Sequence, residues 1–434
     1  QEEDMKERSK TELTPGEYFL KCHLWLLAGY ALMGRGLAYI GVKPLFIGDI
    51  MLITGILIVI FYYSNSLNKV LKILPAKLLL IFIILGAIRT VPYISIYKMN
   101  AFRDGAVWGY GFFAFVIASL LISKPAYLVF FINRFRKFIP LFLILFPFLG
   151  VFQNNMPFLP GSSTRIISIR PGEAGVIISG IFIFILSELI NMKNFWFYIL
   201  AFDIIYCLLS SRTATLAIII PFLLFGFIRG FKKKVLYIII VFSIVLLVLN
   251  FSGMLSEFDK NKFKSIFISV EESSEESVRT MEMSKRWRVM WWKVIINYTF
   301  YGEYFLTGKG FGINLADDDG FQTTRDHALR SPHNGHLTIL ARAGVPGFFL
   351  WILLQASWGW RILQNFYLSK SRGHIMWSKF FLFLLSFFLS FLVNASFDVY
   401  LEGPQGGIWF WSVFGIGIAS SYIYKNFPQI LEEN

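Results

Sequence analysis

The residues best suited to chemistry sit in one stretch, Arg330-Ser-Pro-His-Asn-Gly-His-Leu-Thr-Ile-Leu-Ala-Arg-Ala-Gly-Val-Pro-Gly347. Three of the five histidines, His327, His333 and His336, lie in it or just before it, within ten positions of one another. An imidazole changes charge near neutrality and so suits proton transfer to or from a reacting hydroxyl. Spacing of three would put His333 and His336 on one face of a short helix, which Pro332 allows to start. Gly344-Val-Pro-Gly347 would break that helix. The competing reading is a loop histidine that only hydrogen-bonds a backbone carbonyl.

Cations supply the complementary chemistry. Arg212 stands in Leu209-Ser-Ser-Arg-Thr-Ala214 between two apolar runs with almost no loop, where an arginine is costly unless it pairs or serves function. A lipid-facing anchor is the alternative. Arg286 and Arg288 lie in Ser284-Lys-Arg-Trp-Arg-Val-Met-Trp-Trp-Lys293. A guanidinium suits bidentate phosphate binding, though a basic helix face flanked by interfacial tryptophans gives the same pattern. Arg103 and Arg170 are further outer-face candidates, alongside Arg35, Asp49 and Arg89. Asp317-Asp-Asp319 reads as a solvated turn rather than a metal site. Thr307-Gly-Lys-Gly-Phe-Gly312 lacks the ending of a nucleotide phosphate loop and reads as structural backbone.

The elements that must hold these groups are membrane spans. Hydrophobic residues make up 56% of the 434, charged residues only 16%, against about 25% in soluble domains. Mean hydropathy is +0.60. Apolar runs long enough for a ~30 Å hydrocarbon layer recur throughout. Twelve are expected, near 18–38, 44–62, 74–93, 106–123, 138–153, 174–190, 195–210, 213–228, 235–250, 345–362, 376–395 and 405–423. Lys and Arg concentrate in alternate connections, such as Lys69/Lys72/Lys77, Arg134/Arg136/Lys137 and Lys370/Arg372. The positive-inside rule then puts both termini in the cytoplasm. The net charge of +14 points to anionic lipid rather than nucleic acid. The polar first sixteen residues carry no cleavable signal pattern. Cys22 and Cys207 lie in apolar runs and argue for neither a disulfide framework nor a zinc site.

One outer connection stands apart: residues 251–335, with 11 Lys plus Arg against 12 Asp plus Glu. It includes the acidic patch Val270–Ser277 and an expected helix through Met283–Tyr298. Loops of this length in compact proteins usually carry function. The expected division is spans one to nine over 1–250, the loop over 251–344, and spans ten to twelve over 345–434.

His333-Asn334, nine residues, Gly344, two residues and Gly347 match the His-(Asn/Ser/Gln)-x9-Gly-x-x-Gly pattern of the bacterial O-antigen ligase superfamily, which includes O-antigen polymerases and protein O-oligosaccharyltransferases. The chain resembles that superfamily over its full length: about twelve transmembrane helices, all-α, GT-C-like, with one large helical periplasmic loop between spans nine and ten. The resemblance implies a glycosyltransferase of the bacterial inner membrane. It moves a glycan from undecaprenyl diphosphate to an acceptor hydroxyl on the periplasmic face, without metal or cofactor and with inversion. The acceptor is lipid A-core for a ligase, or another lipid-linked repeat for a polymerase. By the same resemblance His333, Arg212 and Arg288 are catalytic. The match of Arg288 to the Arg-x-x-x-Trp element could instead fall on Arg286, with the alignment slipped by two. Asn334 and His336 would steady the His333 ring, and Arg103 and Arg170 would touch substrate. Arg170-Pro-Gly-Glu173 is only loosely like the family's segment, and no role passes to Glu173. A lipid or polysaccharide transporter is the rival class. It calls for ionisable residues at span midpoints and internal repeats, whereas the span centres are almost free of charge.

Overall fold

The computed structural model describes residues 13–42, 45–230 and 276–432, with side chains from residue 283 in the last stretch. The expected ninth span (235–250) and most of the acidic patch lie outside the described residues. The described chain is helical almost throughout. Its helices are α1 Pro15–Met33, α2 Arg35–Ala38, α3 Ile47–Tyr62, α4 Ser64–Val70, α5 Leu74–Tyr97, α6 Met99–Gly109, α7 Phe112–Ser123, α8 Ala126–Phe152 and α9 Pro171–Leu186. They continue with α10 Asn194–Ser210, α11 Arg212–Arg229, α12 Glu276–Phe300, α13 Leu315–Asp318, α14 Gly335–Ser371, α15 Ile375–Ala395, α16 Pro404–Asn426 and α17 Gln429–Glu432. A two-residue antiparallel pair, Gly41–Val42 with Leu45–Phe46, is the one described sheet.

The other eleven expected spans fall on these helices. By length and composition seven can cross a membrane, or eight if the bent pair α3–α4 counts as one. The helices α9 and α10 are apolar but shorter than 18 residues. The count of twelve therefore does not follow from the described helices. Span one also ends earlier than its apolar run. Gly34 takes φ +57° and closes against Ser168, where a Cβ would meet the Ser168 carbonyl at 2.3 Å, so α1 stops at Met33.

Local chemistry sets the helix starts at the site's end of the bundle. Pro171 and Pro404 open α9 and α16, where a missing N–H costs nothing. Ser211 caps α11 by accepting from the Ala214 amide, which places Arg212 at the first helical position. Packing follows membrane rather than aqueous logic, because lipid is as apolar as leucine and close contact must drive association. The central helix is α16, with 94% of its apolar window buried. Its Gly415 lies so close to α7 that a Cβ would meet the Ala114 carbonyl at 2.6 Å. Its own Trp411, with Trp351, Trp358 and Trp377 around it, is wholly buried like them, and Trp358 donates to the Phe414 carbonyl at 2.9 Å.

Candidate functional site

The helix α14 is broken inside. Gly344 adopts φ +70° and ψ −173°, separating a first segment up to Ala343 from the long apolar rod beyond. The expected helix break is thus a kink within one element. It strands backbone groups, which would cost several kcal/mol unpaired in an apolar setting. The glycine-rich turn satisfies them: Lys309 N donates to Ala341 O at 2.7 Å, Gly310 N to Arg342 O at 3.0 Å, and Val345 N to Phe305 O at 2.8 Å. Gly308, Gly310 and Gly312 all have positive φ, and a Cβ on Gly308 would collide with the Arg342 carbonyl carbon at 2.4 Å. Thr307–Gly312 is therefore structural backbone, as its sequence indicates.

A buried ion cluster locks this arrangement. The Asp104 carboxylate of α6 accepts from Gly312 N at 2.9 Å and pairs with Arg330 Nη2 at 2.8 Å and Arg342 Nη2 at 2.9 Å. Arg330 also donates to Gly312 O at 2.8 Å, and Arg342 to the Gly310 and Ile313 carbonyls at 3.2 Å. One carboxylate on a membrane helix thus holds arginines on both sides of the histidine motif.

His333 precedes the helix rather than riding on it. Asn334 is the N-cap, its Oδ1 accepting from Leu337 N at 3.0 Å. The shared helical face for His333 and His336 is consequently not formed. His333 itself takes φ +53°, a left-handed conformation that costs a non-glycine residue about 1 kcal/mol and is held by its surroundings. Trp292 Nε1 donates to the Pro332 carbonyl at 2.8 Å, and the Trp287 ring stands edge-on to the imidazole at 6.5 Å.

Beside His333 stands Asp398, in the short connection between α15 and α16. His333 Nδ1 lies 3.7 Å from Asp398 Oδ1, and Arg170 Nη1 lies 3.3 Å from the same atom. Val399 N donates to that carboxylate at 2.8 Å. Burial works to raise the Asp398 carboxyl, but the His333 side chain, the Arg170 charge and the Val399 amide outweigh it and hold it at about 2. Arg288, half-buried on α12, donates to the Phe397 carbonyl at 3.4 Å. Burial lowers its pKa, the Asp398 charge opposes that, and Arg212 adds to the lowering, so the two guanidiniums and the carboxylate share one electrostatic neighbourhood. Arg286, two residues earlier, is exposed.

The structure thus brings His333, Arg212, Arg288 and Arg170 together. Besides the exposed Arg286, three other expected site residues are engaged or placed differently. His336 accepts from Trp351 Nε1 at 3.0 Å and faces Leu392 O with Nε2 at 3.1 Å, so both ring nitrogens are engaged and the ring is a strut between α14 and α15. Asn334 spends its side chain on the cap. Arg103 is exposed, and its neighbour Asp104 is the buried member of that pair. Sequence reasoning does not single out Asp398, although its connection is the outer one with acids and no Lys or Arg. The Asp317–Asp319 turn is occupied: Asp317 pairs with His327 Nδ1 at 2.7 Å, and Asp318 and Asp319 with Lys309. Among the described residues no group of three or more His, Cys, Asp or Glu is placed to hold a metal ion.

Residues 195–352 match the family model for O-antigen ligase, a segment that contains Arg212, Arg286, Arg288 and His333. The match supports the O-antigen ligase and polymerase superfamily. Asp104, Arg170 and Asp398 fall outside the matched segment. No curated protein matches the chain.

Proposed function

We propose, for a chain of the O-antigen ligase and polymerase superfamily, a metal-independent glycan transfer from undecaprenyl diphosphate to an acceptor hydroxyl, with lipid A-core as the acceptor. The observation that carries this reading is the placement of His333: its Nδ1 faces Asp398 while half-buried cations gather around the same carboxylate. A histidine whose Nδ1 is held by a carboxylate presents Nε2 in the proton-accepting tautomer, the arrangement of carboxylate–histidine catalytic pairs.

The step balances without further groups. The acceptor hydroxyl gives its proton to His333 Nε2 while its oxygen forms a bond to the anomeric carbon. The bond from that carbon to the phosphate oxygen breaks, and the electron pair leaves with the lipid diphosphate. Arg212 and Arg288 stabilise the charge that develops on the leaving oxygen, the kind of preorganised electrostatic help that dominates many catalytic sites. A single displacement inverts the anomeric centre. Arg170 and Asp398 set the field in which the imidazole works. The site would face the periplasm, with both termini cytoplasmic.

The test is transfer by purified protein in lipid bilayers. His333→Ala, folded as judged by its thermal unfolding, should lose at least about 1,000-fold in rate, within the range a general base contributes together with ring orientation. Native-like transfer by this variant would remove the proposed role of His333. Elongated chains formed without any lipid A-core would replace the ligase acceptor by a second lipid-linked repeat.

A further inference from the structure

One oxygen at the candidate site has two claimants. Asp398 Oδ1 lies 3.3 Å from Arg170 Nη1 and 3.7 Å from His333 Nδ1, so guanidinium and imidazole compete for the same atom. An arginine free to close on a carboxylate does so in charge-assisted bonds of about 2.7–2.9 Å. Arg170 Nη1 instead stands 3.3 Å and 3.5 Å from the two oxygens of Asp398. Something draws it back. Glu173 lies three residues further on, in the first turn of α9, and is 7% exposed. Its Oε1 accepts from Gln405 Nε2 at 3.1 Å, and its Oε2 is buried with no hydrogen-bond partner among the described residues. The charges that act on it are Arg35, Arg170 and Asp398.

A buried carboxylate stays ionised only where cations compensate it, and Arg35 and Arg170 do so here. Arg35 is fixed by its backbone: its amide donates to the Ser168 carbonyl at 3.0 Å, two residues before Arg170. Two carboxylates and two guanidiniums thus stand behind the imidazole. The other charged and titratable groups around them are Arg212 of α11, Arg288 of α12, Tyr39 beside Arg35, and Tyr400, on which both carboxylates act. We infer that Glu173 is a positioning residue for the base: it holds Arg170 back from Asp398 and leaves Oδ1 to His333, with Arg35 offsetting its charge. The inference rests on the transferase reading above, in which His333 is the base.

The experiment titrates the His333 imidazole by NMR in the full chain in lipid bilayers, with isotopically labelled histidine. The His333 signal is the one lost in His333→Ala, and thermal unfolding checks each variant. Glu173→Gln is nearly isosteric and can keep the bond from Gln405, so it removes one negative charge and little else. The His333 midpoint should then fall by about half a pH unit, the effect of one nearby charge at a half-buried site. Arg35→Gln removes a positive charge and should move the midpoint the opposite way by a similar amount. Glu173→Asp keeps the charge and should stay nearer the native midpoint than Glu173→Gln. In transfer assays the acid limb of kcat should follow the imidazole, with the donor KM of Glu173→Gln unchanged. A native midpoint in folded Glu173→Gln overturns the inference, as do shifts of one sign in both charge-removing variants. The titration needs no turnover. Unshifted midpoints in an active protein therefore sink the role of Glu173 alone, whereas opposed shifts in a protein that moves no glycan sustain the charge arrangement and sink the transferase reading.

Discussion

Replacing Asp398 by asparagine tests the arrangement around His333 most directly. The carboxyl is held at about 2 against an ordinary 3.8, and its side chain is 18% exposed. At about 1.36 kcal/mol for each pH unit, that lowering is worth about 2 kcal/mol of favourable interaction with the ionised form. The sign follows from the depressed value: the contribution is complete above about pH 4, and is lost as pH falls through about 2. The substituted amide would keep the shape, discard the charge and offer His333 either of its ends. That stabilisation of the carboxylate concerns the ground state; transfer feels the lost charge through the imidazolium that forms as His333 takes the proton. Loss of the correct tautomer adds to this and brings the expected fall in kcat to as much as about 1,000-fold, below the ~10,000-fold of a tightly bonded pair because 3.7 Å is a long contact. The assay is transfer under saturating donor in bilayers, with thermal unfolding as the control. A folded Asp398→Asn variant with native kcat would refute the claim that this carboxylate orients the base. Because Asp398 stays ionised throughout the range near neutrality, an acid limb there must belong to another group.

The Asp104 cluster gives a prediction about stability. Asp104→Asn leaves Arg330 and Arg342 short of a counter-charge, at a cost of about 3–5 kcal/mol for a broken buried pair, and should lower the thermal unfolding midpoint by several degrees. An unchanged midpoint would show that Glu402, also near Arg342, neutralises the cluster instead. Gly344→Ala must hold φ +70° with a Cβ 2.6 Å from the Phe305 carbonyl, so transfer should be lost at normal membrane insertion. His336→Phe removes the contact from Trp351 and the one to Leu392 yet leaves His333 in place. Its transfer rate should fall less than tenfold, and a loss as deep as that of His333→Ala would restore His336 to the chemistry.

Helices and sites differ in how they show themselves in sequence. A span announces itself by its own run of apolar residues, so α5, α8, α14 and α16 are evident from the chain alone. The short helix before Gly344 is also legible, because a proline, an asparagine and two glycines punctuate it. Contacts across the fold carry no such local mark. His333 and Asp398 are far apart in sequence, and Asp398 comes beside the ring through the packing of α14 against α15. Asp104 reads as the companion of Arg103 because the two are neighbours in the chain. In space they part, since successive helical residues point to different faces and only Asp104 turns inward. Arg288 and Arg286 are equal in the sequence for the opposite reason. Only two residues separate them on one basic segment, and the structure distinguishes them by burial, with Arg288 half-buried beside Phe397 and Arg286 exposed.

The broken helix α14 has a consequence for how the molecule opens. Three backbone hydrogen bonds stitch Phe305, Lys309 and Gly310 to Ala341, Arg342 and Val345 across the Gly344 break. A loop amide is ordinarily among the first to exchange with solvent, because its opening is local and cheap. The amides of Lys309 and Gly310 cannot open that way. Releasing them frees carbonyls on a helix whose flanking residues are buried, so turn and helix must part together. These two amides should exchange with deuterium as slowly as those of the helix itself, in a connection that the sequence would class as surface loop.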